Sequence, residues 1–313
     1  MSVVRFRPRP PEFTKADKHL GESPAQETGR GFSTIWPHIY KRCIMGQRER
    51  LKRQRFFASH PLCCFCGGES RAVEIDHVPA RHLFRSREWP ESYEFPACAA
   101  CNRASSMDEL VMGWIVRIQL SNLSPIDEAE MVSSLTKLNA RRPEWVQQMK
   151  EFGRVETRRA LREQGLANLN LGSGEIYMVA VPEPFAEAME RYGEKLGRAL
   201  YYLHTSRIVP SSGHVTVSAL TNAQFMSANF PHESFSVLNV RPPVSRGNRD
   251  LSGLFAYRYA TTNDQPGAAF LVQFRESTAL LILVNESKVA YDAARARRLI
   301  FNAGGSPVPL SAA

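Results

Sequence analysis

Four cysteines form two Cys-x-x-Cys pairs, Cys63 with Cys66 and Cys98 with Cys101. A structural zinc ion takes four ligands at the corners of a tetrahedron, and each pair supplies two thiolates from one tight turn. Two glycines follow the first pair and allow the backbone conformation that such a turn requires. Cys64 is an alternative first ligand, but Cys63 has the standard separation from Cys66. The spacing therefore predicts a structural Zn²⁺ on Cys63, Cys66, Cys98 and Cys101.

Asp76 and His77 lie between the two pairs, at the end of a short strand predicted to start at Val73. An aspartate oxygen suits Mg²⁺ or Mn²⁺, and a neutral histidine accepts a proton from water near pH 7. Neighbouring strand residues point to opposite faces, but a bend at the strand end would turn both toward one metal ion. Asn102 directly follows the second pair, and its side-chain oxygen completes the expected site. These residues predict hydrolytic chemistry with a catalytic divalent ion on Asp76 and Asn102.

The segment resembles the HNH (ββα-metal) endonucleases. It is similar in particular to a bacterial HNH group that carries a Cys-x-x-Cys pair, then Asp/Glu-His-Val-Pro, then Pro-Ala-Cys-x-x-Cys-Asn. Here the last two motifs are Asp76–Pro79 and Pro96–Asn102, and the resemblance covers about 50 residues. A much weaker likeness extends over residues 170–285. The resemblance implies a hydrolase that acts on phosphodiester bonds.

The resemblance also implies a role for each site residue. His77 matches the general base that activates the attacking water, and Asp76 matches the carboxylate ligand of the catalytic ion. Asn102 stands where many HNH modules have a closing histidine. The middle Asn of the motif has no counterpart, and Tyr93 or Glu94 takes its place. The implied function is a metal-dependent DNA endonuclease of phage, defence or mobile-element type, and a catalytically inactive zinc-dependent nucleic-acid-binding module is the alternative.

Positive charge is concentrated just before the cysteines. The formal net charge is +9, and residues 41–55 hold seven Lys and Arg against one Glu. Such a concentration is typical of a phosphate-binding surface, although a solvated helix face is the alternative. Apolar residues recur at helical spacing and predict an amphipathic helix over about 38–57. The expected contacts to nucleic acid, taken to be double-stranded DNA, are Arg48, Lys52 and Arg55.

Other chemistries are less well supported. A zinc deaminase needs His-x-Glu followed by Pro-Cys-x-x-Cys, and no histidine ahead of the second cysteine pair has a glutamate two residues later. His82 could approach the same pocket as His77, although packing explains it better. Asp108 and Glu109 are candidate outer groups of a metal site, but a capping box from Ser106 to Glu109 explains the glutamate.

The pattern of the whole chain predicts an α+β fold. A ββα-metal (HNH-type) zinc module lies in the N-terminal half, followed by a helical middle and a small antiparallel-sheet α+β C-terminal domain. The predicted divisions are an irregular arm over 1–35, the basic helix with the zinc-stapled nuclease module over 36–122, a helical connector over 123–168 and an α+β domain of unknown role over 169–313.

Individual elements follow from periodicity and turn residues. Helices are predicted over about 106–121, 126–141 and 143–164, after Pro184, and over 287–301. β-rich runs follow at 213–219, 234–240, 253–260, 267–275 and 278–284. No apolar run has the length needed to cross a bilayer, and the N-terminus lacks the apolar stretch of a secretory signal. We therefore expect a cytoplasmic protein.

Overall fold

The computed structural model describes residues 3–6, 35–84, 89–118, 123–163, 177–222, 238–240, 244–262 and 266–287. These residues divide into two compact units. One contains strand β1 (Val3–Phe6) and everything described from Leu62 onward; the other contains helix α1 (Ile35–Ser59). The helix predicted over 287–301 lies almost wholly outside the described residues. The predicted divisions near residues 122 and 168 remain predictions.

The described residues contain seven α-helices and twelve strands. The helices after α1 are α2 (Ala99–Ala104), α3 (Ser106–Ile115), α4 (Pro125–Arg141), α5 (Pro143–Gln147), α6 (Arg154–Glu163) and α7 (Glu183–Thr205). The strands after β1 are β2 (Glu74–His77), β3 (Glu94–Ala97), β4 (Lys150–Glu151), β5 (Tyr177–Ala180), β6 (His214–Thr221), β7 (Asn239–Val240), β8 (Ser245–Arg246), β9 (Arg249–Asp250), β10 (Ala256–Thr261), β11 (Gly267–Phe274) and β12 (Thr278–Asn285). Among these helices, none combines the length and the hydrophobicity that a membrane span requires.

The strands pair antiparallel in four sheets, which confirms the predicted mixed α+β class with antiparallel sheets. The largest has the order β6-β12-β11-β10-β7, and β12 pairs along its full length with both β6 and β11. A second sheet has the order β1-β5-β4, and β2–β3 and β8–β9 form separate pairs. Burial alternates along β11, as expected for a sheet with one face on the core.

Two parts of the chain differ from the expected pattern. The helix predicted over 143–164 is interrupted between α5 and α6, because Lys150 and Glu151 pair with β5. The Glu156 side chain then accepts from the backbone N–H of Gly153 at 3.1 Å, which caps the start of α6. The arm expected to be mostly irregular contains β1, which also pairs with β5. In both cases pairing with a strand that is distant in the sequence decides the local structure. Local propensity contains no information about such pairing.

Helix α7 lies against the five-stranded sheet, and two glycines allow the close approach. A Cβ atom on Gly193 would lie 2.5 Å from Val217, and one on Gly197 would lie 2.5 Å from Ile282. The two glycines are four residues apart, so they share one face of the helix. Phe185 and Tyr192 on α7 are buried in a hydrophobic core that also includes residues of the cysteine-rich segment.

A buried ionic network joins the end of α3 to α4 and to the turn after β11. Asp127 at the start of α4 accepts from Arg275 at 2.9 Å and lies 3.8 Å from the Nε atom of Arg117. Arg117 also donates to the backbone carbonyl of Gly113, and Ser124 donates to the other Asp127 oxygen at 2.8 Å. Because one carboxylate serves two buried guanidinium groups, these three elements are fixed relative to one another.

Candidate functional site

The four paired cysteines meet in one place. The sulfur atoms of all four lie within 4.8 Å of one another, which is close enough for a metal ion such as zinc. Two of the four are buried and two are half-buried. The ligand set that the spacing predicted is therefore brought together, and it consists of Cys63, Cys66, Cys98 and Cys101.

Local backbone geometry suits this cluster to a cation. The backbone N–H of Phe65 donates to the Cys63 sulfur at 3.4 Å, and that of Cys101 donates to the Cys98 sulfur at 3.4 Å. N–H groups that point at sulfur favour the thiolate, which is the form that binds metal. Gly67 has φ +72°, a conformation open to glycine, and a Cβ there would lie 2.5 Å from the backbone of Ser211. The first turn thus requires glycine for two separate reasons.

Cys64 is not part of the cluster. Its side chain is buried in the hydrophobic core, and its backbone N–H donates to the Pro96 carbonyl at 3.0 Å. Burial raises the pKa of its thiol, and the nearby Cys63 and Asp76 add to that shift. Cys64 therefore remains a protonated core residue, in agreement with the assignment of Cys63 as the ligand.

Strands β2 and β3 place Asp76 and His77 on opposite faces. Asp76 is directly across from Phe95, and both are buried; His77 is directly across from Glu94, and both are half-buried. β2 keeps its pairing as far as His77, so the backbone bend expected at this point does not occur. The Asp76 carboxylate and the His77 imidazole therefore point into different surroundings.

The Asp76 carboxylate is paired with a lysine from α7. The Lys195 ammonium lies 2.6 Å from Asp76 Oδ2 and 2.8 Å from Glu109 Oε1. It donates to the Ser105 hydroxyl at 2.6 Å and lies 5.4 Å from the centre of the Phe65 ring, inside the first cysteine turn. The lysine therefore connects α7 to both halves of the cysteine-rich segment.

Charge and burial oppose each other in this group. Burial by itself would lower the pKa of Lys195, but the two carboxylates outweigh it and raise that pKa above its ordinary value. Burial raises the pKa of Asp76, and the Glu109 charge raises it further, whereas Lys195 opposes both by lowering it. The ammonium thus stays charged, while the two carboxylates compete for one cation.

Asn102 is engaged by a different acid. Its side-chain N–H donates to Glu74 at 2.5 Å, and its backbone N–H donates to the Cys98 carbonyl at 3.1 Å. Glu74 is two residues before Asp76 on β2, so the two acids share a strand face. The structure places Asn102 near the expected strand, with its amide nitrogen turned toward Glu74.

His77 lies beside a guanidinium group. The Arg81 side chain donates to His77 Nε2, and Glu94 Oε1 lies 3.5 Å from the same nitrogen. An Nε2 atom that accepts from Arg81 carries no proton, so the imidazole is the Nδ1–H tautomer. Burial lowers the pKa of His77, and the Arg81 charge lowers it further, against the opposing effect of Glu94. The ring is therefore neutral near pH 7, and its side chain is 23% exposed.

The weaker candidates have structural partners. His82 Nε2 donates to the Glu109 carbonyl at 2.6 Å, and the ring lies against Gly113. Glu109 does not complete a capping box with Ser106, because its carboxylate binds Lys195 and the Ser105 hydroxyl. The Asp108 carboxylate is held by Arg191 on α7 at 2.9 Å.

The two residues at the position of the missing asparagine have separate roles. Glu94 faces His77, as described above. Tyr93 is buried with its ring edge-on to Phe255 at 5.7 Å, and its hydroxyl donates to that of Tyr257 at 3.4 Å. Tyr93 therefore packs the β2–β3 hairpin onto the five-stranded sheet.

The predicted nucleic-acid contacts lie on α1. Arg48, Lys52 and Arg55 are all exposed, and their spacing of four and three residues places them on one face of that helix. Their binding to nucleic acid remains a prediction.

Sequence reasoning missed Lys195 and Arg81. Lys195 had a detectable signal, because it falls on the apolar face of α7 between Tyr192 and Ala199. A lysine in such a position is seldom buried without a partner.

In comparisons with known proteins, no family, no curated protein and no solved structure matches this chain.

Proposed function

We propose that this chain is an HNH-type endonuclease that hydrolyses phosphodiester bonds in DNA, with His77 as the general base. The supporting observation is the partly buried imidazole of His77 with a guanidinium beside its proton-accepting nitrogen. Phosphodiester hydrolysis needs a base for the attacking water and a positive charge for the phosphate oxygens. His77 supplies the base, and Arg81, four residues later in the chain, supplies the positive charge.

In the proposed reaction, His77 Nε2 removes a proton from water while the water oxygen attacks phosphorus. The phosphorus–O3′ bond breaks, the departing 3′ oxygen takes up a proton from solvent water to become a hydroxyl, and the His77 imidazolium later releases its proton to solvent. Glu94 would stabilise the imidazolium that forms, because its carboxylate lies 3.5 Å from Nε2. Arg81 must turn from Nε2 to the phosphate for water to reach the nitrogen.

The arrangement of residues fits one of the two proposed metals and not the other. Zinc on the four cysteines supplies structural stability, since the thiolates come from both ends of the β2–β3 hairpin. Mg²⁺ or Mn²⁺ on Asp76 and Asn102 does not fit the arrangement described, because Lys195 holds the carboxylate and Glu74 holds the amide. We therefore assign no reaction step to a divalent ion.

A plasmid-nicking assay tests the proposal. The zinc-loaded full chain should nick supercoiled DNA, and His77→Ala should lower the rate about 10²–10⁴-fold, the usual contribution of a general base. Parallel reactions with Mg²⁺, Mn²⁺ or a mild chelator report whether a divalent ion is needed. The zinc content of the variant should equal that of the wild type.

His82→Ala is the matched control, since the ring of this nearby histidine donates to the Glu109 carbonyl and lies against Gly113 on α3. It should retain nicking within a few-fold. Loss of zinc in His77→Ala would show that His77 is structural and would refute the mechanism.

The second candidate is a zinc-dependent nucleic-acid-binding module without cleavage. The observation in its favour is the Lys195–Asp76 ion pair, which occupies the carboxylate expected to hold the catalytic ion. Under this alternative the chain binds DNA but nicks it under none of the three metal conditions.

A further inference from the structure

Two arginines from distant parts of the sequence contact one indole ring, and one of them, Arg81, also donates to His77. The Arg81 guanidinium carbon lies 4.8 Å from the centre of the Trp89 ring, and that of Arg246 lies 4.1 Å from it. The two guanidinium carbons are therefore at most 8.9 Å apart, the sum of the two distances. We refer to Arg81, Trp89 and Arg246 as the arginine–tryptophan cluster.

The position of Arg246 is fixed by the backbone. It lies in the β8–β9 hairpin, whose Ser245 carbonyl accepts from the Glu91 N–H at 3.2 Å. The Arg246 side chain itself donates to the Trp89 carbonyl at 3.4 Å. The hairpin thus brings a cation from the C-terminal half of the chain to the segment between β2 and β3.

The cluster has an excess of positive charge. Within the part of the chain that the structure describes, no carboxylate forms an ion pair with Arg81 or Arg246; the Glu94 carboxylate lies near Arg81 but is 3.5 Å from His77 Nε2. Two neighbouring guanidinium groups repel each other unless an anion lies between or beside them. Contact with the face of Trp89 orients both groups but does not neutralise their charge. An anion with several acceptor oxygens would complete the arrangement.

We propose that the arginine–tryptophan cluster binds the phosphate of a DNA strand at His77. This inference rests on the proposed function and adds its substrate-binding group. Guanidinium groups donate two parallel hydrogen bonds to phosphate oxygens, which suits both arginines. Arg81 already touches His77 Nε2, so a phosphate bound by Arg81 would lie next to the base. Arg246 would hold the same phosphate or the next one along the strand.

Binding and cleavage are measured separately to test the inference. The zinc-loaded full chain with His77→Ala is titrated against a fluorescein-labelled DNA duplex at several salt concentrations, with anisotropy as the signal. Adding Arg246→Gln should weaken binding about 3–10-fold. It should also reduce the salt dependence by about one ion, since each phosphate contact on duplex DNA releases roughly 0.9 counter-ions.

Arg258→Gln is the matched control, because it removes the same charge from an exposed position on β10. It should leave the affinity and the salt slope unchanged. Zinc content and circular dichroism verify that each variant is folded.

The outcomes separate the two proposals. If the Arg246→Gln variant binds as its parent does, or if the parent binds no duplex at low salt, the inference is wrong. If Arg246→Gln weakens binding but the wild-type chain cuts no DNA, the phosphate-binding cluster stands and the endonuclease proposal fails.

Discussion

Lys195 is the residue whose surroundings most constrain the chemistry of this chain. Its side chain is 8% exposed, and its ammonium faces the carboxylates of Asp76 and Glu109. A buried ion pair gains little over a matched apolar pair, yet removal of one partner leaves an uncompensated buried charge. Lys195 thus has a large effect on stability when it is removed, whether or not the chain hydrolyses DNA.

Replacement of this lysine tests that conclusion. We expect Lys195→Met to lower the free energy of unfolding by about 3–5 kcal/mol, because two acids lose their shared cation. Denaturant unfolding of the zinc-loaded chain at neutral pH measures the change. Addition of Asp76→Asn should recover part of the loss, since one of the stranded charges is then absent.

Lys150→Met is a suitable comparison. Its ion pair with Glu156 has a similar length of 3.1 Å, but both side chains are more than half exposed. Because solvent screens this exposed pair, the loss of stability should be much smaller than that from Lys195→Met. Equal losses from the two lysine variants would contradict the assignment of Lys195 as a buried ionic centre.

The sequence predicts some of these residues and not others for a physical reason. The cysteine ligands are recognisable because each pair is local, with both thiolates on one turn. The partner of Asp76 is not, since Lys195 reaches it only after α7 packs beside α3. Periodicity could mark Lys195 as a charge on an apolar face, but it could not name the acid that it meets.

At the scale of elements, α7 connects the cysteine-rich segment to the sheet. One side holds α3 through Arg191 and Lys195, and the other side lies on β6 and β12 through two glycines. The helix and the sheet can approach this closely because Gly193 and Gly197 have no Cβ atom at the two points of contact.

Gly197→Val should disturb this packing. Its new side chain would meet Ile282, where a Cβ alone is 2.5 Å away, and overpacking of this kind costs about 1–3 kcal/mol. The thermal midpoint of the zinc-loaded chain should fall accordingly. Gly253→Val serves as the control, because a Cβ at Gly253 meets nothing within 4 Å. A midpoint unchanged by Gly197→Val would show that α7 and the sheet can separate without loss of stability.

Element prediction succeeded where a pattern is long and buried. α4, α7 and the strands β11 and β12 occur close to their expected positions. The continuous helix predicted over 143–164 was wrong at the segment between α5 and α6. The two strand residues there pair with β5, which follows later in the chain. A short edge strand of this kind carries too few residues to show a period of its own.

At the scale of the whole molecule, the cysteine-rich segment and the sheet share a hydrophobic core. Phe95 and Tyr93 from the β2–β3 hairpin belong to the same buried cluster as Phe255 and Ile282. Composition and periodicity predicted an antiparallel α+β region in the C-terminal half, but they do not reveal which surfaces are joined. That information depends on contacts between residues that are far apart in the sequence.

Removal of zinc should therefore destabilise more than the cysteine turns. Zinc at a concentration a thousand times its dissociation constant adds about 4 kcal/mol to the folded state, and a chelator removes that contribution. We expect one zinc per chain by elemental analysis and a lower thermal midpoint after chelation, seen in the sheet signal of circular dichroism as well.

Cysteine variants check the ligand assignment. Cys66→Ser and Cys101→Ser should lose zinc, whereas Cys64→Ser should keep it because Cys64 lies outside the cluster. Zinc loss in Cys64→Ser with retention in Cys66→Ser would overturn the assignment.

The β8–β9 hairpin has a consequence for how this protein can be divided or recombined. Trp89 is in contact with Arg246 from the hairpin and Asp76 with Lys195 from α7, and both of these cations follow the cysteine-rich segment by a long stretch of chain. A fragment cut after α3 would keep every cysteine and the histidine, yet it would lack both cations. The segment that contains His77 could therefore not be transferred alone to another protein with these contacts intact. The α7 helix and the β8–β9 hairpin would have to be transferred with it.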